Sequence, residues 1–278
     1  MNKTKVIIIV CWIISALALV GLAVWFLAGP VFGAAWNPIF DGFGQSTAQG
    51  THSISTDGLD SVYIDWTSGR VTIELHDGDH IQITEFSSRT LGDNERLSYS
   101  TSGGTLQIDF VAGRGPRRMP SKQLEVLIPR ALSGSLNDLT VGTVSGRITI
   151  DDLSLGTLYA HTVSGRIELS RVTAETLRTN TTSGRHDISG TFDEVSARSV
   201  SGRIEFSSSA VPTSLVASTT SGRIAVTVPN QGPIGVQQST VSGRFESDIP
   251  VVLGGDDVQF HLSTVSGRIN IYALALSG

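Results

Sequence analysis

The chain has 278 residues, a formal net charge of −5 and only 16% charged residues, which excludes the strongly basic surface typical of nucleic-acid-binding proteins. It contains 30 glycines but only two methionines and four tryptophans, a composition that favours tight turns and β-branched strands over packed helices. Its single cysteine excludes an intrachain disulfide bond and a metal site built of cysteines.

The first predicted element is a transmembrane helix at residues 6–28. This run contains no charged side chain and is long enough to cross a hydrocarbon layer of about 30 Å. Lys3 and Lys5 precede it and no Lys or Arg follows before Arg70, so residues 1–5 are predicted in the cytoplasm and the C-terminal domain outside it. A cleaved signal peptide is the alternative, although its apolar core usually has about 7–15 residues. The predicted location is the cell membrane, crossed once.

A linker and a β cap region are predicted next. Residues 29–58 show no sustained periodicity and indicate a linker. Period-two alternation of apolar residues then runs from Val62 to Ile128, which predicts a mainly antiparallel cap over residues 59–130 that includes the first coil. The sequence His76-Asp77-Gly78-Asp79-His80 interrupts two of these runs, and we interpret it as a solvated hairpin tip rather than a metal site.

Residues 131–278 are organised by the tripeptide Ser-Gly-Arg, which occurs eight times in the chain when Ser68–Arg70 is included. From Gly146 onward the central glycines recur every 18–24 residues, and a period near twenty is typical of repeat architectures. The positions seven residues before and two residues after each glycine are almost all apolar. Each repeat therefore predicts two strands that face one core.

These repeats predict an all-β fold, a parallel β-solenoid or β-helix of about seven to eight two-strand coils, each stacked on the preceding one at about 4.8 Å. The glycine marks a corner, because glycine tolerates φ values and close coil packing that other residues do not. A β-sandwich of hairpins is the alternative, but it would not need the same tripeptide at every corner. The last strand, through Ile271 and Ala273, lacks polar capping, so we also expect end-to-end homo-oligomers.

The repeats at Thr143–Ile150 and Thr162–Leu169 resemble those of a bacterial putative-adhesin family, a membrane-tethered domain of unknown function. The similarity spans about residues 50–278 and includes the Ile128-Pro129 step that closes the region before the repeats. The resemblance implies a β-solenoid with an adhesive role and supplies no catalytic residues. This chain departs from the pattern because Arg follows the glycine in all eight copies, where such repeats often have Asp.

One column of the repeat contains candidate ligand-binding residues. After Arg70, it comprises Arg147, Arg166, Arg185, Arg203, Arg223, Arg244 and Arg268. Each arginine precedes an inward-facing residue, so its side chain is predicted to point outward. The arginines are expected either to pair with acidic residues two positions later, such as Glu168 and Glu246, or to form a cationic ladder for a linear polyanion such as an acidic wall polymer.

The leading functional prediction is a non-catalytic, membrane-anchored, extracytoplasmic adhesin-like module that binds or organises the cell envelope. Its expected partner is a cell-wall polymer. The alternative is an envelope-stress or signalling accessory that binds a membrane protein. A polysaccharide-active β-helix enzyme is a minor alternative, because Asp151-Asp152 and Asp256-Asp257 fall in separate turns. No nucleophile, phosphate-binding or metal motif is found, so no catalytic residue, metal or cofactor is predicted.

Overall fold

A computed structural model describes residues 46–112, 121–254 and 258–274. The predicted cytoplasmic segment at residues 1–5 and the predicted transmembrane helix at residues 6–28 lie outside these ranges and stay predictions. In the described ranges no helix is long and apolar enough to span a membrane. Apart from a 3₁₀ turn at Arg130–Leu132, all regular structure there is β-strand, which confirms the predicted all-β class.

The strands form one open 12-stranded sheet. In chain order they are β1 (Thr47–Ile54), β2 (Ser61–His76), β3 (Ile81–Ser87), β4 (Ser98–Ser102), β5 (Thr105–Asp109), β6 (Lys122–Pro129), β7 (Asp138–Asp151), β8 (Ser154–Ser208), β9 (Ser214–Val228), β10 (Ile234–Ser247), β11 (Val251–Leu253) and β12 (Phe260–Ala273). The long strands turn at their Ser-Gly-Arg tripeptides, so each repeat has a first arm before the glycine and a second arm after it.

Neighbouring repeats pair in parallel with their corners in register. Gly146 lies opposite Gly165, and Arg147 lies opposite Arg166. The same alignment joins β2 to β7, β8 to β9, β9 to β12, and β12 to β10. Inward side chains from both arms, such as Leu158 and Ile167, are buried in one continuous apolar core. The result is a β-solenoid-like stack of repeats.

The corner glycines are required because the stacked backbones approach too closely for a side chain. A Cβ atom built on Gly165 would overlap the carbonyl oxygen of Gly146, and one built on Gly267 would overlap that of Gly222. This overlap could be relieved only by moving the backbone of the neighbouring repeat. The steric reason predicted for the repeated glycine is therefore confirmed.

The spatial order of the last repeats differs from their order in the chain. β12 pairs with β9 on one side and with β10 on the other, so the repeat of Gly267 lies between those of Gly222 and Gly243. The prediction that every repeat stacks on the preceding one is wrong here. It follows that β10, and not the later strand β12, is the last long strand of the stack.

Inward-facing side chains explain this order. β12 presents Leu262 and Ile271 to the core, whereas β10 presents Gln238 and Ser247 at the paired positions. A terminal repeat has only one covered side, so polar inward groups cost less there than between two neighbours. The more apolar repeat is consequently inside the stack, and the more polar repeat ends it.

The other end of the stack is closed by the cap. β5 and β6 pair in parallel with the first and second arms of β2, which adds one level without a Ser-Gly-Arg corner. β3 then pairs antiparallel with β6, β1 with β3, and β4 with β5. β1 lies within the predicted linker at residues 29–58, so the cap begins before residue 59, earlier than predicted.

Candidate functional site

The corner arginines form one row along the outside of the stack, which we call the arginine row. In spatial order it runs through Arg70, Arg147, Arg166, Arg185, Arg203, Arg223, Arg268 and Arg244. The first five side chains are half-buried and the last three are exposed. The structure thus brings the predicted site residues together in one row, but in an order that the sequence does not give.

The middle of the arginine row is neutralised by acidic residues two positions later in the same arms. Arg166 Nη1 donates a 2.9 Å hydrogen bond to Glu168 Oε1, and its Nε lies 3.7 Å from Asp187 Oδ2. Arg203 Nη1 donates a 3.0 Å hydrogen bond to Glu205 Oε1. These contacts confirm the predicted pairing for this part of the row.

One acid of this network, Asp187, has a shifted pKa. Burial and a hydrogen bond with Glu205 raise the pKa of Asp187 above its usual value, although Arg185 and Arg166 oppose the shift. The hydrogen bond with Glu168 raises the pKa of Arg166, which keeps this guanidinium charged. The middle of the row is therefore a balanced network of arginines and acids with little charge left to attract a ligand.

The positive charges of two neighbouring arginines are not neutralised by acidic residues in this way. β9 and β12 place Arg223 opposite Arg268, and the residues two positions later are Ala225 and Asn270 instead of acids. Neither guanidinium forms an ion pair with any residue in the described ranges. Because the two repeats are neighbours only through the insertion of β12, sequence spacing alone could not reveal this pair.

Arg244 extends this uncompensated region to the end of the stack. Its Nη1 lies 3.6 Å from Glu246 Oε1, but the two side chains are 71% and 56% exposed, so water and salt screen the pair. We call Arg223, Arg268 and Arg244 the open arginine segment. The sequence did contain one signal for part of it, namely Ala225 and Asn270, which are not acidic although Glu205 occupies the same column one repeat earlier.

Polar groups border the arginine row. A groove of about 570 Å³ runs along the outer face of the second arms. Its lining includes Ser170, Ser207 and Thr227, in addition to the acidic residues and the exposed ring of Tyr272. A polymer lying on the arginine row would therefore meet hydroxyl groups beside the cations.

The histidines of the described ranges do not form a metal site. No group of three or more His, Asp or Glu side chains suited to a metal ion occurs in these ranges. His186 is fully buried, and its Nδ1 and Nε2 atoms lie 2.9 and 3.2 Å from the hydroxyl oxygens of Thr179 and Thr181. Burial lowers its pKa to about 4, so the ring is neutral at pH 7. We assign it a structural role.

These features define a class, an all-β protein whose repeats form a β-solenoid-like stack with an outward arginine row. The Toastrack DUF4097 family matches residues 59–191 and 118–271, and the chain belongs to that family. The family has no established function. A search among curated proteins finds no match.

One solved structure shares this fold. A protein from Bacteroides fragilis described as a "putative adhesin" has 15% sequence identity and a TM-score of 0.52, over 81% of this chain and 96% of that one. A "putative lipid binding protein" from Parabacteroides distasonis has 15% identity and a TM-score of 0.45, over 84% and 98% of the two chains. At these identities the first likeness shows a shared fold, and the second is too distant to add to it.

Proposed function

We propose that the chain is a non-catalytic, adhesin-like binding module of the bacterial cell envelope, with residues 6–28 as its membrane anchor and a solenoid of seven to eight two-strand coils outside the cytoplasm. Its ligand is a linear polyanion, such as an acidic cell-wall polymer. The observation that carries this proposal is the open arginine segment. The adhesin description of the Bacteroides structure agrees with it but concerns that protein.

Electrostatics favour a ligand at this segment. Two unit charges about 4.8 Å apart repel by about 0.9 kcal/mol in water, and no acid in the described ranges forms an ion pair with Arg223 or Arg268. A bound anion replaces repulsion with attraction. Guanidinium groups bind carboxylates and phosphates through two parallel hydrogen bonds. A polymer with regularly spaced anions can therefore contact several levels of the stack.

The test is retention of the full-length protein on isolated cell wall in a neutral detergent. The variant Arg223→Gln/Arg268→Gln should bind at least about tenfold more weakly, the loss expected from removing two charge-assisted contacts. The control Arg96→Gln/Arg171→Gln removes the same charge elsewhere and should bind normally. Equal retention of both folded variants would contradict the proposal.

A pull-down from detergent-extracted membrane proteins, run beside the cell-wall experiment, distinguishes the alternative role. Capture of a membrane protein from detergent extracts, without retention on cell wall, would support an envelope-stress or signalling accessory instead. A loss of that capture in the Arg223→Gln/Arg268→Gln variant would assign the protein contact to the open arginine segment. Turnover of an acidic glycan by the purified chain would support the minor enzymatic alternative.

The proposed end-to-end association uses β10. β11 covers only Ile234–Val236 on its outer side, and no other strand in the described part of the chain pairs there. Residues 237–247 therefore present an unpaired strand edge, the kind of surface through which β proteins associate. This edge replaces the C-terminal edge expected from the sequence.

A further inference from the structure

A second groove lies on the outer face of the first arms, away from the arginine row. It has a volume of about 670 Å³ and spans the four neighbouring repeats of Gly165, Gly184, Gly202 and Gly222. Because the two arms of each repeat face one core, their outer faces point in different directions. A ligand in this groove is consequently separate from one on the open arginine segment.

Two arginines line the groove without a carboxylate partner. Arg178 and Arg198 belong to adjacent repeats, are both exposed, and form no ion pair within the described residues. Arg198 is offset by two positions along the strand, so the two Cα atoms are about 8 Å apart from strand spacing and rise. This separation allows the guanidinium groups to contact two different anionic groups of one ligand.

A fixed aromatic ring lies beside the two arginines. Asn180 Nδ2 donates a 3.1 Å hydrogen bond to the hydroxyl oxygen of Tyr159, and the Tyr159 ring stacks on His161 with centroids 5.1 Å apart. These two contacts hold the tyrosine in one orientation. An ordered ring binds an apolar ligand face without further loss of side-chain entropy.

The groove also offers groups that exchange hydrogen bonds with hydroxyls. Glu194 and Ser196 line it from the same first arm as Arg198, and Val216 of the next repeat supplies an apolar surface. A carboxylate, a serine and an amide together can both accept and donate. This combination suits a ligand with many hydroxyl groups better than a bare inorganic anion.

We propose that this groove binds a short acidic glycan. Uronate carboxylates contact Arg178 and Arg198, a sugar face packs on Tyr159, and sugar hydroxyls bond to Asn180 and Glu194. Charge complementarity selects the occupant, because two guanidinium groups without acidic partners favour negative charge, whereas the ring and hydrogen-bonding groups favour a sugar. The proposal does not depend on the function of the open arginine segment.

The experiment is calorimetric titration of the full-length protein, in a neutral detergent, with tetragalacturonate and with its fully methyl-esterified form. We expect saturable binding of tetragalacturonate. The affinity for the neutral ester should be lower by at least about tenfold, because the ester cannot form the charge-assisted bonds. Arg178→Gln/Arg198→Gln should weaken binding by a similar factor. Arg96→Gln/Arg171→Gln is the charge-matched control outside both proposed sites and should leave it unchanged. Tyr159→Ala should also weaken it, with thermal melting confirming that every variant folds.

Several results would overturn the assignment. These are no saturable binding, equal binding of the ester, or equal binding by the folded Arg178→Gln/Arg198→Gln variant. Loss of binding only in Arg223→Gln/Arg268→Gln would place acidic glycans on the open arginine segment and refute this second site. Competition by inorganic phosphate at the same concentration as the glycan would show a general anion site and refute recognition of the sugar.

Discussion

Lys122 Nζ lies 2.9 Å from Glu85 Oε1, and this ion pair is buried in the cap with side-chain exposures of 0% and 3%. Lys122 Nζ also donates to the carbonyl oxygens of Val111, at 2.8 Å, and of Glu95. Glu85 Oε2 accepts a 3.0 Å hydrogen bond from the backbone N–H of Leu97. The two charges therefore join β6 and β3 to the loops that close this end of the stack.

Breaking this pair should strongly destabilise the domain. Lys122→Met leaves Glu85 as an uncompensated buried charge, and we expect the free energy of unfolding to fall by about 3–5 kcal/mol. Lys122→Met/Glu85→Leu removes both charges and should be more stable than Lys122→Met alone. Urea denaturation of the three proteins measures the difference. A double variant less stable than Lys122→Met would contradict this account.

His186 should make stability depend on pH. Its pKa is about 4 in the folded chain and 6.5 in the unfolded chain, so between these values the unfolded state binds more protons. Stability is therefore complete above pH 6.5 and decreases as pH falls toward 4, by about 2 kcal/mol at pH 5.

The variant His186→Ile isolates this contribution, because Ile occupies the same inward position in most other repeats. Its denaturation midpoints at pH 7.5 and pH 5 should differ less than those of the natural chain. A midpoint difference equal to that of the natural chain would assign the pH dependence to other groups.

Corner glycines should tolerate substitution far less than glycines in turns. Gly165→Ala places a Cβ on the backbone of the neighbouring repeat, and we expect a loss of more than about 4 kcal/mol or failure to fold. Gly58 has a φ of +67° but open space around it, so Gly58→Ala should cost only about 1 kcal/mol. Thermal melting compares the two, and similar costs would refute the close-approach explanation.

The edge of β10 should control self-association. Analytical ultracentrifugation of the full-length protein in detergent should show concentration-dependent oligomers, and Val241→Lys should abolish them because a charged edge disfavours strand pairing. Val144→Lys is a matched control, since Val144 is also exposed at a corner but lies inside the stack. A concentration-independent monomer, or the same effect from both variants, would contradict the use of this edge.

Repeat columns in the sequence predicted the strands, the inward and outward positions and the corner glycines, because period-two alternation and backbone sterics act locally. The position of β12 depends instead on whether the repeat of β10 or that of β12 gains more free energy from full burial. A local pattern describes one repeat at a time and cannot decide between the two. Gln238 and Ser247 in apolar columns were the available signal. The pairing of Arg223 with Arg268 was unpredictable for the same reason.

Other features depend on contacts between distant segments. Lys122 lies opposite Gly69 in the β2–β6 ladder, where a Ser-Gly-Arg corner would otherwise stand, and its buried charge is balanced from β3. A lone lysine in the sequence gives no indication of this role. The groove on the first arms could not be predicted because its lining residues, such as Tyr159, Arg178 and Arg198, occupy outward positions that differ from repeat to repeat.

The insertion of β12 also sets an order of events during synthesis. β9 and β10 precede β12 in the chain, yet β12 separates them in the finished sheet. A nascent chain that has reached β10 can complete the sheet correctly only if β10 leaves a vacant place beside β9. If β10 paired with β9 first and β12 then added outside β10, Gln238 would lie between two neighbouring repeats. The polar residues of β10 therefore disfavour that order and favour the finished one, in which β12 lies beside β9.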